Sequence, residues 1–322
     1  MRLNYSHLNA KVTDQHKAQN GLDNSKDSGR NRSFLRPGIF PLSLPSALPS
    51  WQITNPHPQG FEAIKQLLTQ PQQPYRFVLG ARDVPRTQAA YDAVKYDSSK
   101  HDLTVLPLEL SDLKSTKSFA QQALSALDST KVDYLFLNAG ITNGAEQPTG
   151  KSKYCEAYVV NHLSQHYLIH LLREKLVADK ARIVVVSSGA VRSVKDVSRL
   201  DADLKDGSGV GGQAIYSKTK FVQLLGAHWW RRQLKGTGCE VVAVSPGLIP
   251  NTGIGRGSGM KLSMDMPDAK TVDEGERQLF NPFFSCAQFG GAHKHHLYPQ
   301  VPRASSALLH GTIFPRIQSR YS

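Results

Sequence analysis

The sequence predicts an α/β fold, a doubly wound parallel sheet, on three observations. Short apolar runs alternate with helix-length segments from Gly60 to Val244, and strands spaced by such helices imply right-handed crossovers and a sheet covered on both faces. Polar or glycine-containing triplets directly follow several of the runs, where ligands bind in sheets of this kind. The chain has 322 residues, 39% of them hydrophobic, and a mean hydropathy of −0.37, so it can form one large domain with additional segments.

The elements follow in order. Phe61 to Leu68 reads as a helix, and Tyr75 to Leu79 as a strand ending at Gly80-Ala81-Arg82-Asp83. Thr87 to Val94 is helical, Leu103 to Leu108 a strand, Lys114 to Leu127 a helix, and Val132 to Leu137 a nearly continuous apolar strand. A long helix from Tyr154 to Leu176 precedes the strand Arg182 to Val186; a helix from Tyr216 to Gln233 precedes the strand Cys239 to Val244. Residues 1–59 are rich in Asn, Ser, Lys and Pro without a sustained period, and are expected to be a disordered or degenerate N-terminal segment. Residues 60–280 form the domain, and residues 281–322 an irregular basic tail.

The net charge of +13 could suggest nucleic acid. Residues 1–59 hold seven Lys/Arg against three Asp/Glu, and residues 281–322 hold four against none, so the flanks carry +8 of it. No nucleic-acid-binding motif accompanies the charge, and basic tails are the reading adopted. The greasy stretch Leu35 to Trp51 is broken by Pro37, Pro41, Pro45 and Pro49, and no run elsewhere has the length of a membrane span. No signal-peptide core is read at the N-terminus. Cys155, Cys239 and Cys286 show no framework or metal-ligand spacing, which suits a reducing, cytoplasmic setting.

The chemistry concentrates in Tyr216-Ser217-Lys218-Thr219-Lys220. On a helix, Tyr216 and Lys220 share a face one turn apart, whereas Lys218 points elsewhere. A phenol has an unperturbed pKa of about 10, and an ammonium beside it favours the phenolate and draws that value toward a working range. Strand ends supply further candidates: Asn138-Ala139-Gly140, Ser187-Ser188-Gly189 and Ser245-Pro246-Gly247. A serine hydroxyl there can donate to a ketone oxygen or developing alkoxide. Asn161 falls inside the long helix, where an amide is usually exposed, and Asp112 reads equally as a helix N-cap.

With Asn138-Ala139-Gly140, Asn161, Ser188, Tyr216, Lys220 and Pro246-Gly247 in this order, the chain resembles the short-chain dehydrogenase/reductase family. Val160-Asn161-His162-Leu163, Leu79-Gly80-Ala81-Arg82-Asp83 and the long interval from Ser188 to Tyr216 look most like its retinol-dehydrogenase-like and protochlorophyllide-reductase-like branch. The resemblance implies a Rossmann-like domain and an oxidoreductase that moves hydride between a nicotinamide and a carbonyl or secondary alcohol. It implies that Tyr216 is the general acid/base, that Lys220 tunes it and holds the nicotinamide ribose, and that Ser188, rather than Ser187, orients the substrate oxygen. Asn161 would position a relay water. Asp112, Asn138, Ala139, Gly140 and Gly60 would line the cofactor, and Thr252, one residue beyond its usual interval, would bond the carboxamide. Arg82 after the second strand matches a 2′-phosphate, favouring NADP(H) over NAD, with Asp83 read as a surface ion pair.

The pattern departs at both ends. The family opens with an apolar strand and a glycine-rich phosphate turn at a helix N-terminus. Here Trp51-Gln52-Ile53-Thr54 runs into Asn55-Pro56-His57-Pro58-Gln59-Gly60, with two prolines and a single glycine. The first strand and the final strand are therefore expected to be degenerate or missing. Gly207-Ser208-Gly209-Val210-Gly211-Gly212 matches the glycine pattern but follows Asp201 to Asp206, not an apolar strand, and reads as a loop. His162, His166 and His170 share a helical face, read as surface or interface histidines, with no metal assigned; the same holds for His293, His295 and His296. The Tyr216 helix is amphipathic through Phe221, Leu224, Leu225, His228, Trp229 and Arg232, and either a partner subunit of a homo-oligomer or the core could cover that face.

Three function classes stay open on the sequence: the NADP(H)-dependent enzyme of a small carbonyl or alcohol substrate; a catalytically silent binding protein, or a defective gene product, lacking a working phosphate turn; and nucleic-acid binding through the flanks. The substrate could be lipid-like, a retinoid-like aldehyde or a secondary-metabolite ketone. Gly253-Ile254-Gly255-Arg256-Gly257-Ser258-Gly259, which would cover it, is generic.

Overall fold

The computed structural model describes residues 48–53, 58–69, 74–250, 254, 262–266, 268–272 and 274–275. Six parallel strands form one sheet: β1 (Leu48–Ile53), β2 (Tyr75–Ala81), β3 (Asp102–Pro107), β4 (Tyr134–Leu137), β5 (Arg182–Val186) and β6 (Glu240–Val244). Their spatial order is β3-β2-β1-β4-β5-β6, which reverses direction between β1 and β4, the switch point beyond whose carboxyl ends sheets of this kind take their ligands.

The first strand is present and central. β1 pairs with β2 from Leu48–Tyr75 to Ile53–Gly80, and with β4 from Ser50–Tyr134 to Ile53–Leu137. The expectation that it is degenerate or missing is corrected. Ladder pairing uses backbone N–H and C=O groups, which every residue of β1 except Pro49 can supply whatever its side chain. Helix α1 (Pro58–Leu68) starts earlier than Phe61. Proline suits a first helical position, where its missing N–H would be unsatisfied anyway. The ordered sheet thus begins inside the segment expected to lack structure. The expected final strand and the basic tail lie outside the described residues.

The remaining helices are α2 (Val84–Asp92), α3 (Leu113–Leu127), α4 (Glu156–Tyr158), α5 (Ser164–Ala178), α6 (Leu200–Asp203) and α7 (Gly212–Gln233). Strand alternation sorts side chains between two layers. Phe77 and Leu79 pack with Ile64, Leu68 and Tyr91 on the α1/α2 side, while Val78 joins Phe119, Leu135, Leu137, Leu168 and Trp230 on the other. Deleting a ring such as that of Phe119, which is wholly buried, removes about 3–5 kcal/mol. Gly80 is needed where β2 passes the end of β3: an added Cβ would clash with Leu108 Cδ2 and lie 3.0 Å from Leu108 Cβ. Among the described residues, no helix is long and apolar enough to cross a membrane.

The long helix expected over Tyr154 to Leu176 is interrupted. A π-helical segment, Val159–Leu163, separates α4 from α5 and is centred on Asn161. Such bulges turn one side chain out of the regular helical sequence of faces and occur frequently at functional sites. Here the bulge aims an amide at the sheet's carboxyl edge.

Candidate active site

Asn161 is fully buried, not exposed as expected for a helical amide. Its Oδ1 accepts from the Ile141 N–H at 2.8 Å, and its Nδ2 donates to the Ile141 carbonyl at 2.9 Å and to Thr219 Oγ1 at 2.9 Å. Thr219 Oγ1 donates in turn to the Tyr216 carbonyl at 2.8 Å. Asn161 therefore clamps the turn after β4 to the helix that carries Tyr216 and Lys220. Burying an amide is tolerated because these three bonds satisfy both its N–H groups and its oxygen.

β5 delivers the serines. Ser188 caps the short 3₁₀ helix Gly189–Ser193, its Oγ accepting from the Ala190 N–H at 3.2 Å, which leaves its own O–H proton to donate elsewhere. Ser187 is buried, and its Oγ has no hydrogen-bond partner among the described residues.

Lys220 is 2% exposed. Its Nζ donates to the Val186 carbonyl at 2.7 Å and to Gln223 Oε1 at 3.0 Å, and lies 5.9 Å from the centroid of the Tyr216 ring. Burial pushes its pKa down to about 7. Desolvation penalises the charged form, so this lysine holds its proton less firmly than an exposed one. Lys218 does point elsewhere, pairing with Asp203 at 3.3 Å. Gly140 lies against this group: a Cβ there would stand 3.5 Å from both Lys220 Nζ and Asn161 Oδ1. Asn138 and Ala139, also buried, complete the turn after β4.

The predicted cofactor residues divide. Asn138, Ala139 and Gly140 lie at the switch point with Tyr216, Lys220, Ser188 and Asn161. Arg82 is exposed directly after β2. Asp83 is not a simple surface ion pair: it is the N-cap of α2, accepting from the Arg86 N–H at 3.0 Å. Asp112 is the N-cap of α3, accepting from the Lys114 N–H at 2.9 Å. Gly60 is buried as the third residue of α1 rather than part of the preceding turn. Thr252, like Thr54, lies outside the described residues.

Two groups stand out by spacing alone, the helix histidines and the glycine-rich loop. His162 and His166 are buried, not on the surface, and only His170 is exposed. Burial pushes His162 down to about 4 and His166 well below its usual range, and His166 Nδ1 accepts from Trp230 Nε1 at 3.0 Å. Among the described residues no three metal-binding side chains come together. In the glycine-rich loop, Gly207 and Gly209 take φ values of +69° and +79°. They serve a turn beside Pro148 and Ala145, far in kind from a phosphate cradle.

Sequence reading missed Thr219, Gln223 and Gln165. The available signal was position: Gln223 is three residues beyond Lys220, within an otherwise apolar stretch of α7.

The family model for short chain dehydrogenase matches residues 60–198. The chain is 55% identical over 228 residues to short-chain dehydrogenase/reductase GME11359 of Pestalotiopsis microspora, covering 70% of this chain and 78% of that protein. It is 29% identical over 204 residues to human retinol dehydrogenase 12, covering 62% of each, and 32% identical over 178 residues to bovine dehydrogenase/reductase SDR family member 13, covering 54% of this chain and 45% of that protein. It therefore spans less than two thirds of the length of these last two. In fold it is similar to a short-chain dehydrogenase from Sphingobium yanoikuyae in complex with NADPH, at TM-score 0.55 and 19% identity over 73% of this chain and 84% of that one. The NADPH-bound carbonyl reductase from chicken fatty liver gives TM-score 0.55 and 21% identity over 73% and 86%.

Proposed function

Because the chain belongs to the short-chain dehydrogenase/reductase family, we propose that it moves hydride between NADP(H) and a carbonyl or secondary alcohol of a small organic substrate. The observation that carries this reading is the convergence on the carboxyl end of β5. Lys220 Nζ is hydrogen-bonded to Val186, Ser188 follows two residues later, and Tyr216 stands one turn before Lys220 on α7.

When bound, the nicotinamide would supply or accept the hydride. The chain's residues do the rest. The Tyr216 hydroxyl gives its proton to the carbonyl oxygen as hydride reaches the carbon, and takes it back from the alcohol in the reverse direction. The free O–H of Ser188 donates to that same oxygen and carries part of its developing charge. Lys220, when protonated, favours the Tyr216 phenolate left behind. Asn161 holds the Gly140–Ile141 turn at fixed distance from both.

The cofactor fits the groups present. Gly140 allows close approach beside Lys220, and the early N–H groups of α1 face the end at which a pyrophosphate would dock. Preference for NADP(H) follows from Asp83: its carboxylate is engaged in capping α2, so the ribose end meets Arg82, whose guanidinium suits a 2′-phosphate. The relative named retinol dehydrogenase makes retinoid-like and lipid aldehydes the first substrates to screen, beside secondary-metabolite ketones.

A binding-only reading draws on one observation, the prolines at 56 and 58, the first between β1 and α1 and the second opening α1. Titration calorimetry on the full chain separates the two. Micromolar binding of NADPH, with NADH weaker, supports the enzyme; binding of neither supports the silent protein. Tyr216→Phe should then keep NADPH affinity and lose turnover, and substantial remaining turnover overturns the assignment of Tyr216.

A further inference from the structure

Two buried amide side chains outside the expected site form a continuous path to Lys220. Gln165 Nε2 donates to the Ala139 carbonyl at 2.7 Å and to the Val160 carbonyl at 3.1 Å. Gln223 Nε2 donates to Gln165 Oε1 at 2.8 Å, and Lys220 Nζ donates to Gln223 Oε1 at 3.0 Å. Gln165 and Gln223 are 2% and 4% exposed. Two neutral amides at such depth are costly unless every group is engaged.

The path has a direction. Because both N–H groups of Gln165 face carbonyls, its oxygen must be the acceptor offered to Gln223. Gln223 then turns its amide nitrogen to Gln165 and its oxygen to Lys220. Neither amide can flip without setting donor against donor or acceptor against acceptor. The orientation is set at the Ala139 carbonyl, within the turn after β4, and is delivered to the lysine.

We propose that Gln223 and Gln165 are positioning residues that commit two N–H groups of Lys220 to fixed acceptors, so that its third position is the one that exchanges a proton and addresses the ligand. This rests on the reading of Lys220 as part of the hydride-transfer site. Val186 O and Gln223 Oε1 each take one N–H in both charge states. The third position therefore carries an N–H when Lys220 is charged and a lone pair when it is neutral. It can donate to a ribose hydroxyl in the first state and accept from one in the second.

Few groups face Lys220. From α7 it faces Tyr216 and Gln223; from the β4 turn, Gly140; from the π segment, Asn161; from β5, the Val186 carbonyl. Tyr216 is the one titratable neighbour in that set, and desolvation alone accounts for the lowered pKa.

The test reads the lysine directly, by NMR of the full-length protein carrying ¹³C,¹⁵N-lysine, with the Lys220 signal assigned by its loss in Lys220→Met. Gln223→Leu removes a neutral acceptor that favours the ammonium, and should lower the titration midpoint by about one pH unit. Gln165→Leu frees the Gln223 amide and should lower it by less. Gln223→Glu keeps an acceptor and adds charge, and should raise it. If Gln223→Leu does not fold, as judged by circular dichroism, the rise in Gln223→Glu decides. Midpoints within about 0.2 units of wild type in every folded Gln223 variant overturn the proposal. That failure is distinct from failure of the catalytic reading, which Tyr216→Phe reports by retaining turnover whatever the lysine does.

Discussion

The two halves of the sheet treat their polar residues differently. At the carboxyl ends of β4 and β5, Asn161, Thr219, Gln165, Gln223 and Lys220 are buried and hydrogen-bonded to backbone or to one another. After β2 and β3, Asp83 and Asp112 are exposed, and their carboxylates accept from the first-turn amides of α2 and α3. The contrast teaches that the half proposed to be catalytic holds its geometry through its own interior, whereas the half expected to hold the nucleotide presents helix caps and one exposed arginine. Preorganisation is concentrated where charge would move during the reaction.

The largest effect that would break this contrast is at Asn161. Asn161→Ala leaves the Ile141 N–H and carbonyl without their side-chain partner and takes one of two bonds from the Thr219 hydroxyl, and should cost about 2–4 kcal/mol in urea unfolding along with most activity. A loss below about 0.5 kcal/mol would mean that the interior network does not hold the site. In the opposite half, Gly80→Ala should cost about 1–3 kcal/mol, since Leu108 Cβ as well as its methyl crowds the new atom.

The buried lysine gives a pH signature. Its folded pKa, about 7, lies below the unfolded 10.5, so between these values the unfolded chain holds a proton the folded chain lacks. Stability from this group therefore rises with pH across that window, by up to about 1.4 kcal/mol per unit, and is flat below it. Lys220→Met should abolish that rise, and equal slopes in both proteins would count against a desolvated lysine. The smallest effects are at the caps: Asp83→Ala and Asp112→Ala should each cost about 1 kcal/mol. If Asp112→Ala weakens NADPH binding far more than it lowers stability, its carboxylate has a ligand role beyond the cap.

Much of this was legible in the sequence because strands buried on both faces read as apolar runs, and because Tyr216 and Lys220 are close in sequence on one helix. Other features were hidden for physical reasons. A one-residue π bulge leaves helical periodicity almost unchanged, so Asn161 reads as an exposed helical amide although it is fully enclosed. Gln165 and Gln223 sit 58 residues apart, and nothing local reports that they meet. β1 is hard to see in the sequence because its side chains and prolines are atypical, while its pairing is a matter of backbone. Asp112 reads equally as cap or cofactor ligand from its position, and only the bond to Lys114 shows the cap.

β1 also carries a consequence for how the chain assembles. It comes before all the other strands, yet one of its neighbours begins to pair at Tyr75 and the other at Tyr134. The slot between β2 and β4 must therefore be filled by a segment waiting since the start of the sheet, and closing that long span is slow compared with the local steps. Until it closes, β2 and β4 both show raw edges, the state in which a chain of this kind is most prone to pair with a copy of itself. Keeping those edges apart is a task for the early strand, quite separate from any cofactor its turn receives.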